Sequence, residues 1–330
     1  MRKHTFVAMV SLLILFIIGG PHAHGQIRAG PANVLGENTW TSGGPSGGYV
    51  NSLGMASTDP DTIYAATDGG MFKTTDGGVT WMRTAFPPVL VRSVQVAPDD
   101  PSTAYAGTDD GVYKSVNGGG TWTRTGLEGA RVNAIAIDPL HPQTVYAGTG
   151  WQLQAPDEET VGLFRSTDGG QTWQKKLSQV GHAVMALLID SNDSSTVYAG
   201  GVFCSRCFFK SENGGDTWVS RGVGGYSSEQ IVALAMTPSG TNPSVIYAVD
   251  ATDMDVFKST DQGESWSSTG TPFISPASPW ALAVDPNDPN VVYVGTHYFQ
   301  GRVYKSADGG STWSIETEGL PPVVPARYRD

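Results

Sequence analysis

The stretch STDGGQTW (Ser166–Trp173) decides the fold, because the chain repeats it. Its other copies are TTDGGVTW (Thr74–Trp81), SVNGGGTW (Ser115–Trp122), SENGGDTW (Ser211–Trp218), STDQGESW (Ser259–Trp266) and SADGGSTW (Ser306–Trp313). The pattern is S/T-x-D/N-x-G-x-T/S-W, and successive tryptophans lie 41, 51, 45, 48 and 47 residues apart. Six copies at such a period mean one supersecondary unit used repeatedly.

Aligned on the tryptophan, a longer unit emerges. An apolar stretch such as Val132–Pro139 comes first, then a Pro/Asp-rich turn. A short strand follows around Tyr64, Tyr105, Tyr146, Tyr198, Tyr247 or Tyr293. A variable loop and an aromatic–basic–Ser/Thr strand lead into the motif, and the tryptophan opens a last strand. Four short strands in about 46 residues make one propeller blade. Within the motif, the Asp or Asn is suited to hold the turn through main-chain N–H groups. The glycines permit positive φ, and the tryptophan buries a large ring under the hairpin. The expected structural set is Asp76, Trp81, Asn117, Trp122, Asp168, Trp173, Asn213, Trp218, Asp261, Trp266, Asp308 and Trp313. On the first strand, bulky Leu53, Val94, Ile135, Leu187, Leu234 and Leu282 each follow a small residue, so a bulky face meets the small face of the next blade.

The fold expected is therefore all-β, a β-propeller of four-stranded blades. Six blades are the first choice, and a seven-bladed or truncated ring is the alternative. Residues 49–320 form the propeller, 26–48 an N-terminal segment that adds an outer strand, and 321–330 a tail. Asn38-Thr39-Trp40 resembles the end of a motif. Residues 1–25 read as a secretory signal peptide: Arg2, Lys3 and His4, then the apolar run Phe6–Ile18, then Gly19, Gly20 and Pro21. The run falls short of the ~20 residues of a spanning helix. The expected location is secreted or periplasmic, with no membrane span after cleavage.

The chain has 20 Lys+Arg against 31 Asp+Glu, a net charge of −11. Nucleic-acid binding needs a basic footprint and is excluded as a first reading. The cysteines are Cys204 and Cys207. Between two strands of an exported protein they read as a local disulfide. The Lys or Arg before each motif reads as a solvated structural row.

These motifs resemble the Asp-box, or BNR, repeat of sialidase-like β-propellers, a WD40/YVTN/BNR-like group. That set includes bacterial sialidases, xyloglucan-cleaving glycoside hydrolases, sortilin-type receptors and photosystem-II assembly-factor propellers. The resemblance implies the fold; for function it implies either a binding scaffold or an enzyme.

Function is expected on the variable-loop face, away from the uniform motif turns. Ligand-binding candidates are Trp151, Tyr226, Trp280, His297, Tyr298 and Phe299, since aromatics mixed with carboxylates suit a sugar or peptide. Linking loops add His182, Glu229 and Phe273. The first reading is a monomeric, non-catalytic binder of a protein or carbohydrate. The alternative is a glycoside hydrolase. A sialidase uses an arginine triad, for which Arg92, Arg131 and Arg302 are the candidates. A two-carboxylate glycosidase would set Asp157 or Glu158 against Asp253 or Asp255. No cofactor and no metal site is expected, although Asp250, Asp253 and Asp255 offer the oxygen ligands that Ca²⁺ takes.

Overall fold

The structure, a computed structural model, describes residues 44–45, 49–56, 58–150, 159–178, 180–224, 229–237, 244–270, 273, 278–297 and 302–316. Residues 1–25, read as a signal peptide, the expected tail and most of the expected N-terminal segment lie outside these residues. Every regular element among them is a strand. No helix among them is long and apolar enough to cross a membrane.

Four antiparallel sheets each hold four consecutive strands. One comprises β1 (Val50–Ala56), β2 (Asp59–Thr67), β3 (Gly70–Thr74) and β4 (Met82–Arg83). The next comprises β5 (Val91–Val96), β6 (Ala104–Thr108), β7 (Gly111–Ser115) and β8 (Thr123–Gly126). The third comprises β9 (Val132–Ile137), β10 (Val145–Thr149), β11 (Gly162–Ser166) and β12 (Gln174–Leu177). The last in the chain comprises β21 (Ser278–Val284), β22 (Val292–His297), β23 (Val303–Ser306) and β24 (Ser314–Glu316).

Between the third and the last lies a curled eight-stranded sheet. It contains the meander β13 (Ala183–Ile189), β14 (Val197–Cys204), β15 (Phe208–Ser211), β16 (Val219–Arg221). It also contains β17 (Glu229–Met236), β18 (Ile246–Asp250), β19 (Asp255–Ser259) and β20 (Ser267–Ser268). Its two meanders are fused because β14 runs on and pairs with β17, Val202 opposite Gln230 and Cys204 opposite Glu229. The expected blade architecture is present, with four separate blades and this fused sheet in place of six identical ones.

Packing follows the repeat. The tyrosine of a meander and a neighbour on its third strand meet the aliphatic residues and tryptophan of the unit that follows it. Tyr64, Ala66 and Met71 cluster with Val94, Ala104, Ala106, Tyr113 and Trp122. Tyr105 and Val112 cluster with Ile135, Val145, Ala147 and Trp173. The bulky-on-small rule appears in detail where Val94 N–H donates to Ser52 Oγ at 3.2 Å. At Gly54 an added Cβ would stand 2.8 Å from the Val94 carbonyl oxygen, so nothing larger than glycine fits there.

The motif turns are held as their residues suggest. Asp76 Oδ1 accepts from Thr80 N–H at 2.9 Å, and Asp76 Oδ2 accepts from the Thr80 hydroxyl at 2.5 Å. Trp81, Trp173 and Trp218 each donate an indole N–H to a carbonyl of their own turn. The turns also pin the Pro/Asp-rich turn beside them: Gly77, Gly118, Gly169, Gly214 and Gly309 donate N–H to Asp61, Ser102, Gln143, Ser195 and Asn290 carbonyls. Both kinds of turn therefore share one edge. The basic residues ahead of the motifs depart from expectation. They are not a free solvated row: Lys73, Lys114 and Lys258 each donate to a carbonyl of the next motif turn at 2.9 Å. Tyr105, Tyr146 and Tyr247 donate to the carbonyls of Gly169, Gly214 and Gly309 at 3.0, 2.8 and 3.1 Å.

Candidate functional site: the bulged inner strands

The edge opposite the motif turns is built by one device used six times. The first strand of every unit carries a β-bulge at the same register, and the extra residues are Asn51, Arg92, Asn133, Met185, Val232 and Trp280. A bulge re-aims a side chain and is common beside sites. Here it presents one residue per unit, and unlike the motif turns the six differ in chemistry.

Three successive units are polar. Asn51 Nδ2 donates to Asp68 Oδ1 and to the Val91 carbonyl, both at 2.9 Å. Arg92 makes a two-pronged pair with Asp109, its Nη2 lying 3.0 Å from Oδ2. Asn133 Nδ2 reaches the Gly150 carbonyl at 2.9 Å. Arg131 joins them, 3.7 Å from Asp109 and 3.1 Å from Asn133 Oδ1. Burial, and then the neighbouring Arg92, lowers the Arg131 pKa. Two of the three candidate arginines thus converge, but on a carboxylate of the protein itself. Arg302 stands elsewhere, at the β22–β23 turn, its N–H bonded to Thr296 Oγ1 at 3.0 Å.

The following three units are apolar. Met185, Val232 and Trp280 pack into one cluster with Ala183, Val202, Val249 and Phe273. Beside them His182 lies against Phe203, ring centroids 5.1 Å apart. Phe203 is among the exposed large apolar residues and holds φ at 60°. Phe273 packs edge-on against Tyr304 at 5.0 Å and is a core contact more than a loop residue.

An acidic sector lies at the β18–β19 turn. Units one, two, three and six carry, at or one residue before the end of their second strand, a threonine that donates to the turn carbonyl: Thr67, Thr108, Thr149 and Thr296. In the fifth unit that place is Asp250, fully buried. Its Oδ1 accepts from Gln230 N–H at 3.1 Å and Thr252 N–H at 2.8 Å, while Oδ2 has no partner. Asp253 is pushed up to about 6, by burial first and then by Asp250, Asp255 and Glu229. Asp255 instead accepts from Ser268 Oγ. No group of three His, Cys, Asp or Glu among the described residues has metal-holding geometry.

Glu229 is fully buried rather than exposed on a linking loop. It accepts N–H bonds from Cys207 and Val223, each at 2.9 Å, and burial raises its pKa. Cys204 and Cys207 are joined in the expected disulfide. Trp151, Asp157, Glu158, Tyr226, Tyr298 and Phe299 lie outside the described residues, as does the side chain of His297. Asn51, Asn133, Met185 and Val232 escape a sequence reading, because a bulge is a backbone event with no residue signature.

Comparison with known proteins agrees with this geometry. Residues 164–175 match the model of the BNR/Asp-box repeat. The GH74 xyloglucanase of Xanthomonas campestris aligns at 20% identity with a TM-score of 0.64, over 84% of this chain and 46% of that one. The GH74 enzyme of Niastella koreensis aligns at 21% identity and TM-score 0.64, over 84% and 46%. YCF48 bound to D1 peptide aligns at 18% identity and TM-score 0.61, over 85% of each chain. A search of curated proteins gave no match. The chain spans less than half the length of the GH74 enzymes it resembles. It carries the BNR/Asp-box repeat and is a β-propeller of four-stranded blades.

Proposed function

We propose that this chain is an exported, non-catalytic Asp-box propeller, with the eight-stranded sheet counting as two of six blades. It binds a peptide or a glycan across the face that carries the six bulge residues. The observation behind this is the contrast between the two edges. The motif turns repeat one chemistry, whereas the bulges carry polar residues in three units (Asn51, Arg92, Asn133) and apolar ones in the next three (the partly buried Met185 and Trp280 and the buried Val232). A ligand with a hydrogen-bonding end and a stackable or aliphatic end fits such a surface. Fold relatives with a peptide ligand and with a xyloglucan substrate agree with either ligand class.

The test is a screen of peptide arrays and plant-type β-glucan oligosaccharides on the purified chain. Trp280→Ala and Arg92→Ala should each weaken the ligand found by about tenfold, the loss of one well-placed contact. Val79→Asp, on a motif turn, should leave it unchanged. Binding lost only in Val79→Asp would place function on the other edge.

One observation favours a second reading. A carboxyl held near pH 6 suits a general acid, and Asp253 is such a group. A glycosidase needs another carboxylate ~5–10 Å away, for which Asp157 and Glu158 are named. Glycoside turnover abolished by Asp253→Asn would establish the enzyme and displace the first reading.

A further inference from the structure

Cys204 and Cys207 stand at the end of β14, on the edge away from the motif turns, where a structural staple has little to hold. Two residues lie between them, and so short a loop restrains the unfolded chain little. The strands on either side are already paired. Ala199 lies opposite Phe209 and Gly200 opposite Phe208, and Gly201 N–H donates to the Cys207 carbonyl at 2.7 Å.

The two sulfurs have unlike surroundings. Cys207 is fully buried and Cys204 only partly so. Cys204 forms part of the wall of a cavity of about 250 Å³ between the third and fourth units. Leu177, Phe209 and Trp218 make its apolar side, and Arg206 and Ser220 line it as well. Arg206 is exposed, and among the described residues its guanidinium has no partner. A free cation beside a sulfur favours the approach of a thiolate. Phe203, the residue before Cys204, is exposed and holds φ at 60°. A bulky residue seldom takes that backbone region, and such enforced conformations gather at functional sites.

Cys207 is placed to leave. Cys204 N–H points at Cys207 Sγ from 3.0 Å and would steady negative charge arriving there. Once protonated, the Cys207 thiol has acceptors in the Cys204 and Glu229 carbonyls, each 3.1 Å away. The buried Glu229 carboxyl accepts Cys207 N–H at 2.9 Å and fixes that residue in place. We propose that this cystine exchanges with a partner carrying two thiols, Cys204 taking the attack and Cys207 leaving. The partner's first thiolate bonds to Cys204 Sγ, the Cys204–Cys207 bond breaks, and its electron pair goes to Cys207. The partner's second thiolate then attacks the partner sulfur of the mixed disulfide and expels Cys204. The partner ends as a disulfide and the chain as a dithiol. The two protons pass through water from the partner's thiols to the cysteines. One electron pair moves per chain, and the step does not rest on the ligand proposed for the bulge residues.

The full oxidised chain tests this with a reduced synthetic peptide that carries two cysteines. The chain should oxidise one peptide per molecule, about ten times faster than glutathione disulfide does at equal concentration, because the cavity gathers the thiolate. Acid quenching should trap the peptide on Cys204. Arg206→Ala should slow the reaction about tenfold, and Arg206→Lys should restore it, since charge is what the site supplies. Both variants change an exposed side chain, so they report on the site even where a cysteine variant does not fold. As a second measurement, Cys207→Ser should take up glutathione from glutathione disulfide about tenfold faster than Cys204→Ser. A rate no better than that of glutathione disulfide, trapping on Cys207, or indifference to Arg206→Ala overturns the proposal. So does equal uptake by the two cysteine variants, and in each of these cases the disulfide is a staple alone.

Discussion

The acidic residue of the motif turn is exposed, yet it has a measurable function because of what it accepts. Asp76, Asp168, Asp261 and Asp308 are each lowered to about 2 by hydrogen bonds from turn hydroxyls and a backbone N–H. A carboxyl whose folded pKa is depressed contributes stability that is present above about pH 4 and lost as pH falls through the folded value. Asn117 and Asn213 accept the same N–H bonds from Thr121 and Thr217 without titrating. On acidification from pH 4 to 2, the amides of Thr80, Thr172, Ser265 and Thr312 should lose exchange protection before those of Thr121 and Thr217. Equal loss at all six would show that the turn carboxylates are not the cause. Asp253 has the opposite sign. Its pKa is raised to about 6, so its contribution is complete below pH 4 and disappears as pH rises through 6. Asp253→Asn should raise the melting temperature by about 2 °C at pH 8 and leave it unchanged at pH 4.

Among elements, the four-stranded meander was legible because tyrosine, basic residue, glycine and tryptophan keep fixed distances from one another. The motif tryptophans are not equally buried. Trp122 is 8% exposed and meets Phe86 at 5.0 Å and Tyr64 edge-on at 6.1 Å. Trp122→Ala should cost about 3–5 kcal/mol in denaturant unfolding, the range for emptying a packed indole site. Tyr146→Phe should cost only about 1 kcal/mol, since it removes one hydrogen bond and keeps the ring. What sequence could not reveal was where an element meets its neighbour. The six bulges follow from register, and the tyrosine–glycine link joins residues more than 60 positions apart. Arg92 and Trp280 were found as loop candidates by residue type, while Asn51, Asn133, Met185 and Val232 resemble ordinary strand residues. The basic row was misread for the same reason: its acceptors lie in the following unit.

At the scale of the whole molecule, the arc has two chemically distinct edges and a direction. One edge is uniform and carries the Asp-box turns. The other passes from Arg92, Asp109 and Arg131 to the apolar trio, whose middle unit also carries the acidic turn at Asp250 and Asp253. Replacing the polar arc with alanine at Asn51, Arg92 and Asn133 together should leave far-UV circular dichroism unchanged and lower ligand capture by at least tenfold, given about 1.4 kcal/mol lost. Full retention of capture would move the binding surface to loops beyond the bulges.

The clasp of tyrosine and cation on a turn carbonyl uses a main-chain acceptor and demands no matched side chain from its neighbour. A unit duplicated within the gene would therefore arrive with both halves of the joint already cut. It could slot in wherever the neighbouring turn offers such a carbonyl. The number of units in such a chain is open to drift by copying, limited by how far around the circle they must reach and not by the chemistry of any one seam.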